Sequence, residues 1–170
     1  MAGDELIDAA ALIAIKREHL KRLANQNGAD GERSVLNDNS RLIARPTGKA
    51  LRALLAALAE TGIVIRKSSF DAIYLPEDVH LETFDGDELI HAIPKMTFVE
   101  IKTANQPRVR PDFSGYFFAF TEGEIQAAEA LGERHKVVLF NKLTNESLLT
   151  SVPEILARAR STNWQVSVQL

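Results

Sequence analysis

The feature that most constrains this chain is a short apolar segment, residues 96–102, that ends in two charged side chains. It reads Met-Thr-Phe-Val-Glu-Ile-Lys, and because side chains alternate across a strand, Glu100 and Lys102 share one face. Met96 and Phe98 stand earlier on that face, which therefore begins apolar and turns charged only at its end. This pattern predicts a strand buried on both sides. Buried charges are costly unless they are paired, so we expect Glu100 and Lys102 to meet partners.

A second carboxylate stands near the start of the preceding apolar run. Residues 70–75 read Phe-Asp-Ala-Ile-Tyr-Leu and predict a strand, with Asp71 at its beginning. Two carboxylates and a lysine at strand ends suit a divalent-metal site, because hard cations prefer oxygen ligands. The alternative is a structural ion-pair cluster, in which the three side chains satisfy only one another.

Asp71 followed by Glu100-Ile101-Lys102 resembles the signature of the PD-(D/E)xK nuclease superfamily, in its restriction-type and Mrr-like branch. The segments YFFAFTEGE and HKVVLFN, which follow the motif, extend this resemblance over residues 60–141. It implies an α/β, restriction-endonuclease-like fold with a mixed central sheet flanked by helices. We therefore expect one domain overall, with an N-terminal helical extension at 1–45 packed on a nuclease-like core at 46–170.

The resemblance also implies a role for each motif residue. Asp71 and Glu100 would bind Mg²⁺, for which Mn²⁺ would substitute, and the backbone carbonyl of Ile101 would complete the ligand set. Lys102 would orient or help deprotonate the attacking water and stabilise the developing negative charge. The implied activity is metal-dependent phosphodiester hydrolysis by an endonuclease of restriction or defence type. Its expected substrate is DNA, with double-stranded DNA favoured over RNA, and cutting both strands implies a homodimer.

Related nucleases often add an acid from an N-terminal helix and further polar residues from the helix after the motif. Three glutamates are candidates for the first, and the sequence does not choose among them: Glu18, Glu32 and Glu60. Glu124 and Gln126 are the accessory candidates in the later helix. Residues 121–124 also match the S/T-x-x-E capping box, which explains Glu124 without any site.

Two segments offer cations to a nucleic-acid strand. Arg108 and Arg110 lie in a proline-bounded loop just past the motif, which either contacts phosphates and base edges or is an exposed linker. Lys136 precedes a predicted strand at 137–140 and either contacts DNA or covers the sheet edge. Residues 116–120 predict an apolar strand whose aromatic side chains fill the core or form a stacking platform.

Periodicity and capping residues predict the remaining elements. Helices are expected at 4–26, at about 32–41, from Pro46 to Gly62 and from Pro153 to about Arg160, and further strands at 63–66 and 164–170. Residues 76–95 are acidic and interrupted by prolines, which predicts a protruding loop or hairpin. Within it, Asp78, His80 and Glu82 alternate, so they either bind a metal or belong to a solvated acidic loop.

Composition narrows the function classes. The formal net charge of −3 argues against a strongly basic nucleic-acid coat but permits acidic metal ligands beside a local basic stripe. The absence of cysteine excludes disulfides, zinc–thiolate sites and thiol nucleophiles. No signal peptide or membrane-spanning run is visible, so we expect a cytoplasmic protein that does not enter membranes. The alternative function is a catalytically inactive nucleic-acid- or protein-binding module on the same fold.

Overall fold

A computed structural model describes residues 31–33, 35–36, 41–79 and 84–162, which form an α/β arrangement of one mixed, open sheet flanked by helices. The sheet has five strands in chain order: β1 Leu42–Ala44, β2 Ala72–Tyr74, β3 Thr97–Ala104, β4 His135–Asn141 and β5 Glu146–Thr150. Four helices lie between or after them: α1 Gly48–Glu60, α2 Gly86–Ala92, α3 Glu122–Leu131 and α4 Val152–Arg158. Residues 31–33 and 35–36 are also helical. The predicted α/β class is confirmed.

The strand order places the motif in the middle of the sheet. β1, β2 and β3 pair antiparallel, β3 and β4 pair parallel, and β5 pairs antiparallel with β4. The parallel pair follows from the crossover through α3, because a parallel neighbour needs a long connection rather than a hairpin. β3 is therefore the central strand, with a partner on each side.

The sheet is covered on both faces, as the burial of β3 shows. We call the side that carries Glu100 and Lys102 the site face. There, Phe98 is fully buried, its ring meets Phe70 edge-on at 5.1 Å, and helices α1, α2 and α3 pack over it. On the opposite face, Val99 and Ile101 are buried with Val35 from the helical residues before β1. The predicted double burial of this strand is confirmed.

Several local predictions are confirmed in the described residues. α1 buries Leu54 and Leu58 completely, and Gly62 follows its end with a φ of 84°, where glycine avoids the strain of a side chain. α3 begins with the predicted capping box between Thr121 and Glu124. α4 has Pro153 in its first turn, a position where the missing N–H costs nothing.

Other predictions are wrong. Residues 63–66 and 116–120 belong to no strand, although the latter alternate between inward and outward side chains. The segment 76–95 is not simply a protruding loop: α2 and a short 3-10 turn at Ile93–Lys95 lie within it, and Leu89 and Ile93 are buried in the core. The acidic residues of α2 lie on its outer side. Because acidic residues are typical of solvated loops, the sequence alone predicted a loop here.

Two short strands were missed, and one of them changes the expected domain boundary. β1 pairs with β2 through Leu42–Ala44, so the sheet begins before the boundary expected between residues 45 and 46. β5 follows a tight turn after β4. Predictions for 4–26 and 164–170, and those for Glu18, His80 and Glu82, lie outside the described residues. Among the described helices, none has the length and apolarity to cross a bilayer.

Candidate functional site

Asp71 and Glu100 meet where β2 begins. Ala72 lies opposite Val99 in the β2–β3 ladder, and the N–H of Asp71 donates to the Val99 carbonyl at 2.8 Å. β2 begins only at Ala72, so it offers no strand residue to pair with Ile101. The side chain of Asp71 pairs with Ile101 instead, because its Oδ2 accepts the backbone N–H of Ile101 at 2.9 Å. This hydrogen bond holds the Asp71 carboxylate against the motif strand, beside Glu100.

The same gap in the ladder bears on the carbonyl of Ile101. In an antiparallel pair, the N–H and C=O of one residue face the same neighbour. The N–H of Ile101 faces Asp71, so its carbonyl is directed to the side where β2 has ended. The backbone oxygen predicted as a metal ligand is thus on the same side of β3 as Asp71.

Lys102 is held between two carboxylates. Its Nζ lies 2.8 Å from Glu100 Oε1 and 2.8 Å from Glu124 Oε2, and only 14% of its side chain is exposed. The Phe120 ring lies 5.3 Å from Nζ, within range of a cation–π contact. Lys102 is therefore anchored by β3, by the start of α3 and by the segment between them.

Burial favours the protonated forms of the two acids, and at Glu100 the charge of Asp71 adds to the effect of burial. Burial, together with the charge of Asp71, raises the pKa of Glu100 from 4.5 to about 8, although Lys102 acts in the opposite direction. Burial also raises the pKa of Asp71, and it outweighs the hydrogen bond from Ile101 and the charges of Arg45 and Lys102. At neutral pH the pair therefore retains a proton, which a divalent cation would replace.

Lys102 remains a cation. Burial alone would lower its pKa, but the neighbouring Glu100 and Glu124 outweigh burial and raise the pKa of Lys102 above its usual value. An ammonium group has no free lone pair with which to accept a proton. The geometry thus favours the orienting and charge-stabilising part of the role expected for Lys102 over the base part.

Glu32 joins this group from the helical residues before β1. Burial, with the charge of Asp71 next, raises the pKa of Glu32, while Arg45 and Lys102 lower it. Of the two candidates that the structure describes, Glu32 is placed beside the motif, whereas Glu60 is exposed at the end of α1. The backbone of Gly31 packs so closely against Thr103 that no side chain would fit there, since a Cβ on Gly31 would lie 2.1 Å from Thr103 Oγ1. This close contact permits the neighbouring Glu32 to lie beside the motif.

The residues fit a hard divalent cation by one direct observation. Glu100 Oε2 is buried and meets no N–H donor among the described residues, while the Glu100 and Asp71 carboxyls lie close enough to share the proton that the pair retains. Two buried carboxyls that share a proton in this way suit a divalent cation, which would replace the proton and bind both. Within those same residues, no group of three or more acidic or histidine side chains is arranged around one ion. The candidate ligand set is thus two carboxylates and a carbonyl.

The remaining predicted residues divide between the site and its surroundings. Glu124 reaches the site, whereas Gln126 faces outward and bonds Glu122 at 3.1 Å. Arg108 and Arg110 are exposed on the loop that follows β3. Lys136 lies opposite Val99 in the β3–β4 ladder, away from the site face, and pairs with Glu133 at 3.2 Å. Its position does not support contact with a strand bound at the site.

Three neighbours of the site were missed by sequence reasoning. Arg45 donates to the Phe70 carbonyl at 2.7 Å and lies near Asp71. Phe120 contacts Lys102. His135 is fully buried on the site face, and burial lowers its pKa, so that the ring is neutral. No spacing or motif marks any of these residues, because Arg45 and His135 reach the site through the strand pairing and Phe120 through the packing of the segment before α3.

The comparisons with known proteins add nothing to this geometry. No family model, no curated protein and no solved structure matches the chain.

Proposed function

We propose that this protein is a metal-dependent phosphodiesterase, a DNA endonuclease of restriction or defence type on a restriction-endonuclease-like fold. The observation that carries the proposal is that Asp71, Glu100 and Lys102, which are separated in sequence, come together beside the start of β2. The order of elements supports it as well, since the acid, the E-x-K strand, a helix and a parallel strand follow one another. These are the parts that the resemblance requires.

In this proposal the acids hold the cation and the lysine acts on the phosphate. Asp71, Glu100 and the Ile101 carbonyl would bind Mg²⁺, which would lower the pKa of a bound water and neutralise charge on the phosphate. Water oxygen forms the new bond to phosphorus, the bond from phosphorus to the leaving sugar oxygen breaks, and a proton passes to that oxygen. Lys102, as a fixed cation, stabilises the negative charge that develops.

Glu32 would take part through a bound water and not as a direct ligand, since no third acid among the described residues is arranged around the same ion. It lies close enough to Asp71 and Lys102 for their charges to act on its pKa. Four acids then lie around Lys102, two of them also near Arg45: Glu32 and Asp71, with Glu100 and Glu124 ion-paired to Lys102. The excess negative charge is what a divalent cation would balance.

A second candidate function is a binding module without catalysis on the same fold. The ion pairs of Lys102 with Glu100 and Glu124 favour it, because such a cluster stabilises itself without metal. The buried pair of Glu100 and Asp71 favours the enzyme instead, because a divalent cation would replace the proton that the two carboxyls share. The two functions differ in whether bound nucleic acid is cut.

A plasmid nicking assay separates them. We expect supercoiled DNA to be converted to open-circular and linear forms with Mg²⁺ or Mn²⁺ and to stay intact with EDTA. Lys102→Ala and Glu100→Gln should reduce the rate by at least about 100-fold, the usual cost of losing one charge-stabilising group. Lys49→Ala, at an exposed lysine paired only loosely with Asp85 at 3.9 Å, is the matched control and should be fully active.

The same set of variants also reveals contamination by another nuclease. Equal nicking by wild type, Lys102→Ala and Glu100→Gln preparations would mean that another nuclease is responsible and would refute the enzyme. Metal-independent retention of DNA without cutting would support the binding module.

A further inference from the structure

Phe117 stands out in the segment that joins β3 to α3. It is 78% exposed, whereas Tyr116, Phe118 and Phe120 on either side pack inward. Among the described residues, it is the one Phe, Tyr or Trp side chain that is largely exposed to solvent. A single exposed apolar side chain is ordinary on a protein surface, so exposure alone assigns nothing. What surrounds Phe117 gives it a specific chemistry.

The segment beneath Phe117 is supported by a row of rings. Tyr116 and Phe118 have centroids 5.0 Å apart, and Phe118 meets Phe120 edge-on at 5.2 Å. Phe120 in turn lies 5.3 Å from Lys102 Nζ. Tyr116, Phe118 and Phe120 therefore form a row of rings that extends from the residues flanking Phe117 to Lys102. These packed rings anchor the backbone on either side of Phe117, so a ligand that stacks on its ring need not order that segment first.

Two arginines lie on the same loop. Val109 is buried and anchors the loop between Arg108 and Arg110, both of which are exposed. Neither guanidinium forms an ion pair or hydrogen bond with any residue that the structure describes. Two exposed cations without an ion-pair partner among the described residues attract phosphate groups, although the whole chain carries a net charge of −3.

The loop folds back so that the backbone of Arg108 lies close to the residues that lead to Phe117. The N–H of Arg110 donates to the Ser114 carbonyl at 3.2 Å and closes the turn. Gly115, with a φ of 85°, then brings the chain back to the Arg108 carbonyl, 3.5 Å from the position a Cβ would occupy. Phe117 follows two residues later. Arg108, Arg110 and the exposed ring of Phe117 are thus presented by one folded segment, which leads from the end of β3 to the start of α3.

We infer that Phe117 stacks on an unpaired nucleobase of a bound strand, while Arg108 and Arg110 contact that strand's phosphates. The inference rests on the proposed function and narrows its substrate to nucleic acid that is single-stranded or locally opened beside the cut. A base inside an intact duplex is covered by its neighbours, whereas an unpaired base offers a free face to an aromatic ring. The contact is tolerant of sequence, because every base has such a face.

Fluorescence anisotropy in EDTA tests this without consuming the probe. Three labelled probes are compared: a mixed-sequence DNA strand, the same strand annealed to its complement, and a strand of equal length with abasic sites. Phe117→Ala should weaken binding of the first probe by about tenfold, a typical loss for one stacked base, and leave the abasic strand unchanged. Phe117→Trp should retain affinity, and Phe117→Leu should lose it despite its apolar side chain.

The controls separate charge from stacking. Arg108→Ala and Arg110→Ala should weaken all three probes and each reduce the salt dependence by about one counterion. Val64→Ala, at an equally exposed apolar residue, should change nothing. The Tm of Phe117→Ala should equal that of wild type.

Three results would overturn the stacking assignment. These are equal losses on base-bearing and abasic strands, a wild-type protein that binds none of the probes, and a Phe117→Ala protein that changes only its oligomeric state. The failure of the proposed function is distinct from these. If the nicking assay shows no metal-dependent cleavage while the Phe117 effect on binding remains, the enzyme is refuted and the stacking contact stands.

Discussion

Glu124 binds Lys102 with the same carboxylate oxygen that caps α3. Its Oε2 accepts the Lys102 ammonium at 2.8 Å and the backbone N–H of Thr121 at 2.9 Å. One oxygen thus joins the start of a helix to the charged end of the central strand. The capping box that seemed to explain Glu124 by itself also positions the lysine of the motif.

Glu124→Gln should separate these two roles. Glutamine is an accepted residue at this place in a capping box, so the helix should lose only about 1 kcal/mol or less. The charge that helps hold Lys102 is lost, and we expect nicking activity to fall by about tenfold. Urea unfolding and the plasmid assay measure the two effects separately.

α4 supplies the matched control for this substitution. Its capping box joins Ser151 and Glu154 in the same way, and Glu154 has no lysine partner among the described residues. Glu154→Gln should leave nicking unchanged. An equal loss of activity in both variants would mean that Glu124 acts through helix stability alone.

The raised pKa of Glu100 predicts how stability depends on pH without metal. Its carboxyl keeps a proton up to a pKa of about 8 in the folded chain, whereas the unfolded chain loses it near 4.5. The folded state then binds more protons between those values, so the free energy of unfolding should fall as pH rises through that window and level off above it. The raised pKa of Asp71 acts in the same direction.

Glu100→Gln removes the titrating group and should remove most of this dependence. In EDTA the variant should match wild type near pH 4.5 and be clearly more stable near pH 8.5, as measured by urea unfolding. Glu88→Gln, on an exposed acid in the first turn of α2, is the control and should keep the wild-type slope. A wild-type protein that gains stability between pH 5 and about 8 would contradict the burial argument.

Metal binding should reverse that loss of stability. Mg²⁺ at about 100 times its Kd should raise the Tm of wild type by about 5–10 °C, since binding to the folded state alone stabilises it. The shift should grow as pH rises toward 8, the pKa of Glu100, because the ion requires the deprotonated carboxylate. Differential scanning fluorimetry gives both quantities.

Asp71→Asn tests whether the cation binds at the motif. The amide keeps the size of the side chain but lacks the charge, so the Tm increase with Mg²⁺ should disappear. Asp87→Asn, an exposed acid in α2, should respond like wild type. An unchanged response in Asp71→Asn would place any bound ion elsewhere.

The central strand and the motif were predictable because their signals are local. The alternation that placed Glu100 and Lys102 on one face depends only on the strand period, and the Thr121–Glu124 box is readable within four residues. Strand pairing is not local. β1 has three residues and β5 has five, and neither carries enough pattern to stand out before its partner is known.

The rest of the site depends on contacts that no single segment encodes. Arg45 and Phe120 reach Asp71 and Lys102 because β1 pairs with β2 and because the loop after β3 packs beneath the site. The segment 63–66 shows the reverse error, since its alternating side chains predicted a strand and the described structure forms none there. Glu32 could be named as one candidate of three, and packing distinguished it from Glu60, the other candidate that the structure describes.

The contact between Gly31 and Thr103 offers a test of Glu32 that leaves every charged residue in place. A Cβ at Gly31 would lie 2.1 Å from Thr103 Oγ1 and 2.4 Å from its Cγ2. Gly31→Ala should therefore push the helical residues off the sheet and move Glu32 away from Asp71. We expect a destabilisation of about 1–3 kcal/mol from overpacking and a reduced Tm response to Mg²⁺.

A compensating substitution and a second glycine complete this experiment. Thr103→Ala removes Oγ1 and Cγ2, so the double variant with Gly31→Ala should recover most of the lost stability and Mg²⁺ response. Gly123→Ala is the control: its Cβ would meet the flexible end of Arg66 at 3.1 Å, so the side chain can move aside. If Gly31→Ala lowers stability but leaves the Mg²⁺ response intact, Glu32 takes no part in binding the cation. If it lowers both and Thr103→Ala restores both, the close approach of these two residues positions Glu32.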